Sequence, residues 1–75
     1  MGRIAYKRFM EEINMSWIST EEQLPERDVA VWTKIDDDNG ERNVCMLRLG
    51  SNGRLWWKPS GNMYVYYTPT HWKYL

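Results

Sequence analysis

The chain has 75 residues, with ten acidic and ten basic side chains, one histidine, one cysteine, five tryptophans and five tyrosines. A chain this short forms one domain and buries only about 60–65% of its unfolded surface, so its core needs large side chains or a second copy of the chain. The single Cys45 excludes an internal disulfide framework, and 43% hydrophobic content with three prolines argues against disorder of the whole chain.

No run approaches the roughly 18 apolar residues of a membrane span, and MGRIAYKRFMEEINM carries charges where a signal peptide would be apolar. A cytoplasmic protein without membrane contact is expected. The zero net charge hides an asymmetry. All ten acidic groups lie in residues 1–41, while residues 42–75 carry Arg42, Arg48, Arg54, Lys58 and Lys73 and no acid. Two such halves neutralise one another if they fold side by side, or present a basic surface to an anionic partner. The scatter of the basic residues favours the first.

The first element is an amphipathic helix over residues 4–15. Ile4, Tyr6, Phe9, Met10, Ile13 and Trp17 recur near the 3.6-residue period, and the stripe needs a partner to bury against. STEEQLPER follows, where Ser19 and Glu22 have capping-box spacing but Pro25 stops a helix within a turn. DVAVWTKI alternates as a strand, with Val29, Val31, Thr33 and Ile35 on one face and Ala30, Trp32 and Lys34 on the other. DDDNGER supplies a hairpin turn at Asn39-Gly40.

NVCMLRLG returns with Val44, Met46 and Arg48 opposed to Cys45, Leu47 and Leu49. GSNG turns the chain into a third strand, RLWWK; PSGN turns it into a fourth, MYVYYT, which Pro69 ends. THWKYL adds a short edge strand. The expected fold is α+β: an antiparallel meander of four to five strands, open or strongly curled, with one N-terminal helix packed on it. The helix at residues 1–16 is an extension of a β-rich domain at 17–75. Large side chains fall on both sheet faces, so one face is expected under the helix and the other under a partner or a second copy.

Catalytic and metal chemistry find no support. Aligning Gly40 with the sixth position of a calcium loop puts Ile35 and Met46 where carboxylates are needed. His71 and Cys45 are too few for a structural zinc site, and Cys45 alternates with Leu47 and Leu49 as a core residue does, not as an exposed nucleophile. Glu11–Glu12 and Glu21–Glu22 are adjacent pairs without apolar shielding. GSNG and PSGN lack the following helix of a phosphate loop. A non-enzyme without cofactor or metal is expected.

The remaining signal is aromatic and basic. Trp32, Arg48, Arg54, Trp57, Lys58, Tyr64 and Tyr66 form the candidate interaction surface. Adjacent tryptophans in a strand point to opposite faces, so one of Trp56 and Trp57 is core and the other is available. Protein interfaces favour these residue types at their centres. Single-stranded nucleic acid, stacked on the aromatics with Arg and Lys on its phosphates, is the second reading. No RNP, KH or zinc-knuckle pattern accompanies it.

WISTEEQLPE from Trp17 to Glu26, the strand VAVWT and the terminal THWKYL together resemble a small phage and prophage family of unknown function. Its members open with a Trp-Ile-Ser…Leu-Pro motif, here Trp17, Ile18, Ser19, Leu24 and Pro25. They close with Thr-His-Trp, here Thr70, His71 and Trp72. The resemblance covers about residues 17–75; it departs at Leu75, where members often continue with proline. It implies no enzyme activity. It implies instead a phage or prophage accessory protein in the bacterial host cytoplasm, one that binds and modulates a host or phage protein by occlusion, often as an inhibitor. A homodimer is compatible with it.

Overall fold

The computed structural model describes residues 16–75. Five strands form one antiparallel sheet: β1 (Ile18–Ser19), β2 (Ala30–Asp37), β3 (Gly40–Leu49), β4 (Trp56–Trp57) and β5 (His71–Lys73). Their spatial order is β1-β5-β2-β3-β4. Among the described residues there is no helix, which overturns the α+β class and the helix packed on the sheet in favour of an all-β domain. The helix expected over residues 4–15 lies outside the described residues. The physical reason for the change of class is that irregular segments of the chain itself cover the apolar side of the sheet.

The β2–β3 hairpin is the longest paired unit. Asp37 opposes Gly40, the Asp37 carboxylate accepts the Asn39 N–H at 2.9 Å, and Gly40 takes the left-handed backbone (φ 99°) that the tight return requires. The register slips once. Thr33 opposes Cys45 but Ile35 opposes Arg42, so β3 carries an extra residue at a bulge where Asn43 has φ 56°. Without the slip, Glu41 and Arg42 would exchange faces, and Glu41 would no longer stand beside Lys34 and Asp36.

Two further expectations change. MYVYYT is not a strand: it makes one bridge, Trp57 to Tyr64, and a Val65 N–H bond to the Trp56 carbonyl at 2.9 Å. It then leaves β4, and Val65 and Tyr67 pack against the buried cluster. The meander is broken as a result. THWKYL is not an edge strand either, because β5 inserts between β1 and β2, with Ile18 opposite Trp72 and Thr33 opposite Trp72. A fully buried indole is what draws it inside.

Register and burial give two unlike faces. One holds Val31, Leu47, Leu49, Trp56 and Trp72, all buried, with Ile18, Cys45, Val65 and Tyr67 packed on them. Thr33, buried among them, gives its hydroxyl hydrogen to the Cys45 carbonyl at 2.9 Å and so leaves no unpaired polar atom. Trp72 Nε1–H donates to the Gln23 carbonyl at 2.8 Å, fastening the β1–β2 loop over β5. The core side chains of this face are thus covered by the chain's own segments.

Candidate interaction face and its polar margins

On the opposite face the register lays side chains in rows across the strands. Ser19, His71 and Lys34 form one row, Lys73, Trp32 and Met46 the next, and Ala30, Arg48, Trp57 and Tyr64 the third. Met46 is 40% exposed, Val44 51% and Tyr64 37%. Tyr64 meets Trp57 edge to face at 5.1 Å and Tyr66 at 5.2 Å, and Tyr66 is 92% exposed. Edge-to-face rings at these separations hold one another at defined angles. The result is a staircase of rings from β4 outward.

Of the seven expected surface residues, the fold brings Trp32, Arg48, Trp57 and Tyr64 onto this face and joins Tyr66 to them through Tyr64. Arg54 lines a neighbouring depression of about 190 Å³ with Leu55, Tyr66 and Thr68. Lys58 is exposed just beyond β4, where its N–H bonds the Met63 carbonyl. Beyond the initial set, the face includes Val44, Met46, Trp17 and Lys73. Val44 and Met46 alternate with the core residues Cys45 and Leu47, a signal present in the sequence. Trp17 lies between the Lys34 ammonium (4.5 Å) and the Lys73 ammonium (4.8 Å), which the sequence does not disclose.

The cations of this face are largely committed to the protein's own acids. Lys34 is buried with its ammonium 2.7 Å from Glu41 and 3.3 Å from Asp36. Its pKa rises above the ordinary lysine value chiefly through the hydrogen bond to Glu41, against the opposing effect of burial. On the other side of the hairpin, Arg42 pairs with Asp37 at 2.8 Å and holds that carboxyl below the usual range. Arg48 reaches Asp28 at 3.3 Å and sits 5.8 Å from the Trp57 ring. The basic and acidic halves of the sequence therefore meet in the fold. Among the described residues, Arg27, Arg54, Lys58 and Lys73 enter no ion pair, although Arg27 donates to the Ser51 carbonyl at 2.9 Å.

The two terminal motifs meet as well. Thr20 N–H donates to the Thr70 carbonyl at 2.9 Å and Thr70 N–H to Lys34 O at 2.9 Å. Thr70 Oγ1 accepts the Asp36 N–H at 2.7 Å and shares a hydrogen bond with His71 Nδ1 at 2.7 Å. His71 and Cys45 fall on opposite sheet faces, since Trp72 and Cys45 both oppose Thr33. They cannot act as a nucleophile and base. A groove of about 510 Å³ beside His71 is lined by Thr20, Glu21, Asp36, Asp37 and Thr70. Among the described residues no group of three or more His, Cys, Asp or Glu side chains is placed to hold a metal ion. Nor is any helix long and apolar enough to cross a membrane.

This arrangement defines a small all-β domain with one face sealed by its own loops and the other lined with aromatic rings. The chain belongs to the family described as protein of unknown function DUF551, which matches residues 16–75. No curated protein and no solved structure matches it.

Proposed function

We propose that this protein is a non-catalytic binding module whose ring-lined face covers a surface of another protein. The observation that carries the reading is the asymmetry of the sheet. The core face is closed by Val65, Tyr67 and the Gln23 loop, while Trp32, Met46, Trp57, Tyr64 and Tyr66 line the other. Aromatic, Met and Arg side chains grouped on one part-exposed face are the composition of interface centres. In keeping with the family resemblance, the setting is a phage or prophage accessory protein acting in the bacterial cytoplasm, where occlusion of a host or phage protein modulates it.

Single-stranded nucleic acid is the lesser reading. Stacking rings are available, but Lys34 and Arg48 on this face are engaged by carboxylates, so neutralising phosphate would rest on the scattered Arg54, Lys58 and Lys73. Quantitative capture from bacterial lysate with the native chain and with Tyr66→Ser separates these outcomes. A defined protein recovered with the native chain and depleted with Tyr66→Ser supports the proposal, because a residue 92% exposed can be replaced without loss of fold. Identical recovery with both chains refutes this face. Salt-dependent binding of oligonucleotides with tryptophan quenching would favour the second reading.

A further inference from the structure

A second feature lies beside the proposed protein-binding face. A pocket of about 240 Å³ opens where the third row of the face meets the GSNG turn, lined by Asp28, Arg48, Ser51, Asn52, Trp57 and Asn62. Ligand pockets for drug-sized molecules run about 300–1,000 Å³, so this one suits a single ring. We propose that it binds one neutral sugar unit through its hydroxyl groups.

The backbone around it is specialised. Asp28 has φ 64°, a left-handed conformation uncommon for a residue with a side chain, and its N–H is held by the Leu49 carbonyl at 2.7 Å. Such positions gather at functional sites, where the conformation aims a side chain. Gly50 has its own requirement. A Cβ there would stand 2.5 Å from Trp57 Nε1 and 2.8 Å from Cδ1, so only glycine lets the indole edge rest against the turn.

The hydrogen-bonding groups are complementary to hydroxyls. Arg48 touches Asp28 at 3.3 Å and the Gly61 carbonyl at 3.3 Å, both longer than the roughly 2.7–2.9 Å of a strong charge-assisted bond. Each group keeps capacity for a ligand. Trp57 Nε1–H has no acceptor among the described residues. Asn52 Oδ1 already accepts the N–H groups of Arg54 (2.9 Å) and Leu55 (3.4 Å), so its NH₂ is the free end and donates.

The pocket thus sets one carboxylate acceptor against several donors, with one negative and one positive charge. A phosphate would face Asp28 and an amine would face Arg48. A hydroxyl both donates and accepts, and adjacent hydroxyls on a ring satisfy the two sides together.

Nitrogen-15 NMR of the full chain titrated with glucose, galactose, mannose and N-acetylglucosamine into the millimolar range tests the assignment. The Trp57 indole N–H, identified by its loss in Trp57→Phe, is expected to shift and saturate with at least one of these sugars. Asp28→Asn, which keeps a residue tolerant of the left-handed backbone, is expected to weaken that binding at least about tenfold. Its circular dichroism shows whether the fold is kept. If it is not, the native titration alone decides. An indole signal unmoved by every sugar overturns the proposal. So does a shift produced equally well by acetamide or inorganic phosphate, or a folded Asp28→Asn chain with unchanged affinity.

Discussion

Replacing Trp72 by phenylalanine separates the two faces most sharply by stability. Trp72 is fully buried, opposes both Ile18 and Thr33, and donates its indole hydrogen to the Gln23 carbonyl at 2.8 Å. Phenylalanine keeps one ring but removes the donor, at about 0.5–1.5 kcal/mol because the exposed loop lets water reach the carbonyl. The missing second ring leaves a void larger than a methyl group, each methyl-sized void costing on the order of 1 kcal/mol. The sum is about 2–3 kcal/mol. In a domain of this size that lowers Tm by roughly 10–20 °C, from about 4–8 °C per kcal/mol. Urea unfolding followed by far-ultraviolet circular dichroism measures it, with Trp57→Phe as the companion on the other face, expected to cost less than about 1 kcal/mol. A Trp72→Phe chain within about 0.5 kcal/mol of native, or a Trp57→Phe chain equally destabilised, would falsify the division of the sheet into a structural face and a proposed binding face.

The remaining predictions concern ionisation and close contacts. Burial first, and then the bond to Cys45 at 3.6 Å, pushes Tyr67 up to about 12 from the ordinary 10. Because the raised value favours the neutral phenol in the fold, its contribution is complete below the unfolded value and is lost as pH rises through the folded one. An absorbance titration should therefore show a late tyrosinate step that disappears in Tyr67→Phe, and a single step at ordinary pH would count against this packing. For Lys34 the sign is the same, since its pKa is also raised. Lys34→Met should stay within about 1 kcal/mol of native, whereas removing Asp36 and Glu41 together leaves the ammonium without a carboxylate and should cost on the order of 2–4 kcal/mol. The reverse order in denaturant melts contradicts that account. Gly50→Ala should cost about 1–3 kcal/mol and alter Trp57 fluorescence, because its Cβ lands 2.5 Å from the indole nitrogen; an unchanged spectrum would show that the indole does not rest there.

The hairpin at the centre of this fold was legible because its alternation is strict. Val31 and Thr33 against Trp32, and Leu47 and Leu49 against Met46 and Arg48, place each side chain on the face where the structure has it. The opposite fates of Trp56 and Trp57 follow from the same period of two, although which one turned inward needed the Leu49–Trp56 pairing. MYVYYT failed the same reading. Its alternation is good, but its aromatic residues serve two tasks: Tyr64 and Tyr66 build the ring staircase, while Val65 and Tyr67 peel away to cap the core. The insertion of β5 between β1 and β2 was not legible either, because strand order depends on contacts about 50 positions apart, such as Thr20 to Thr70. The candidate face came out in outline. Trp17 and Lys73 joined it only through that long-range pairing, and the bulge that turns Lys34 toward Glu41 leaves no mark in the hydrophobic pattern.

The most direct test of the binding face is the affinity of the captured partner for the native chain and for the Met46→Ser, Tyr66→Ser double variant, measured calorimetrically beside a thermal melt. A loss of at least about tenfold in affinity, equal to about 1.4 kcal/mol, with a melting temperature near native is the result predicted here. Native affinity in a folded double variant would contradict it and move the functional surface away from this face of the sheet.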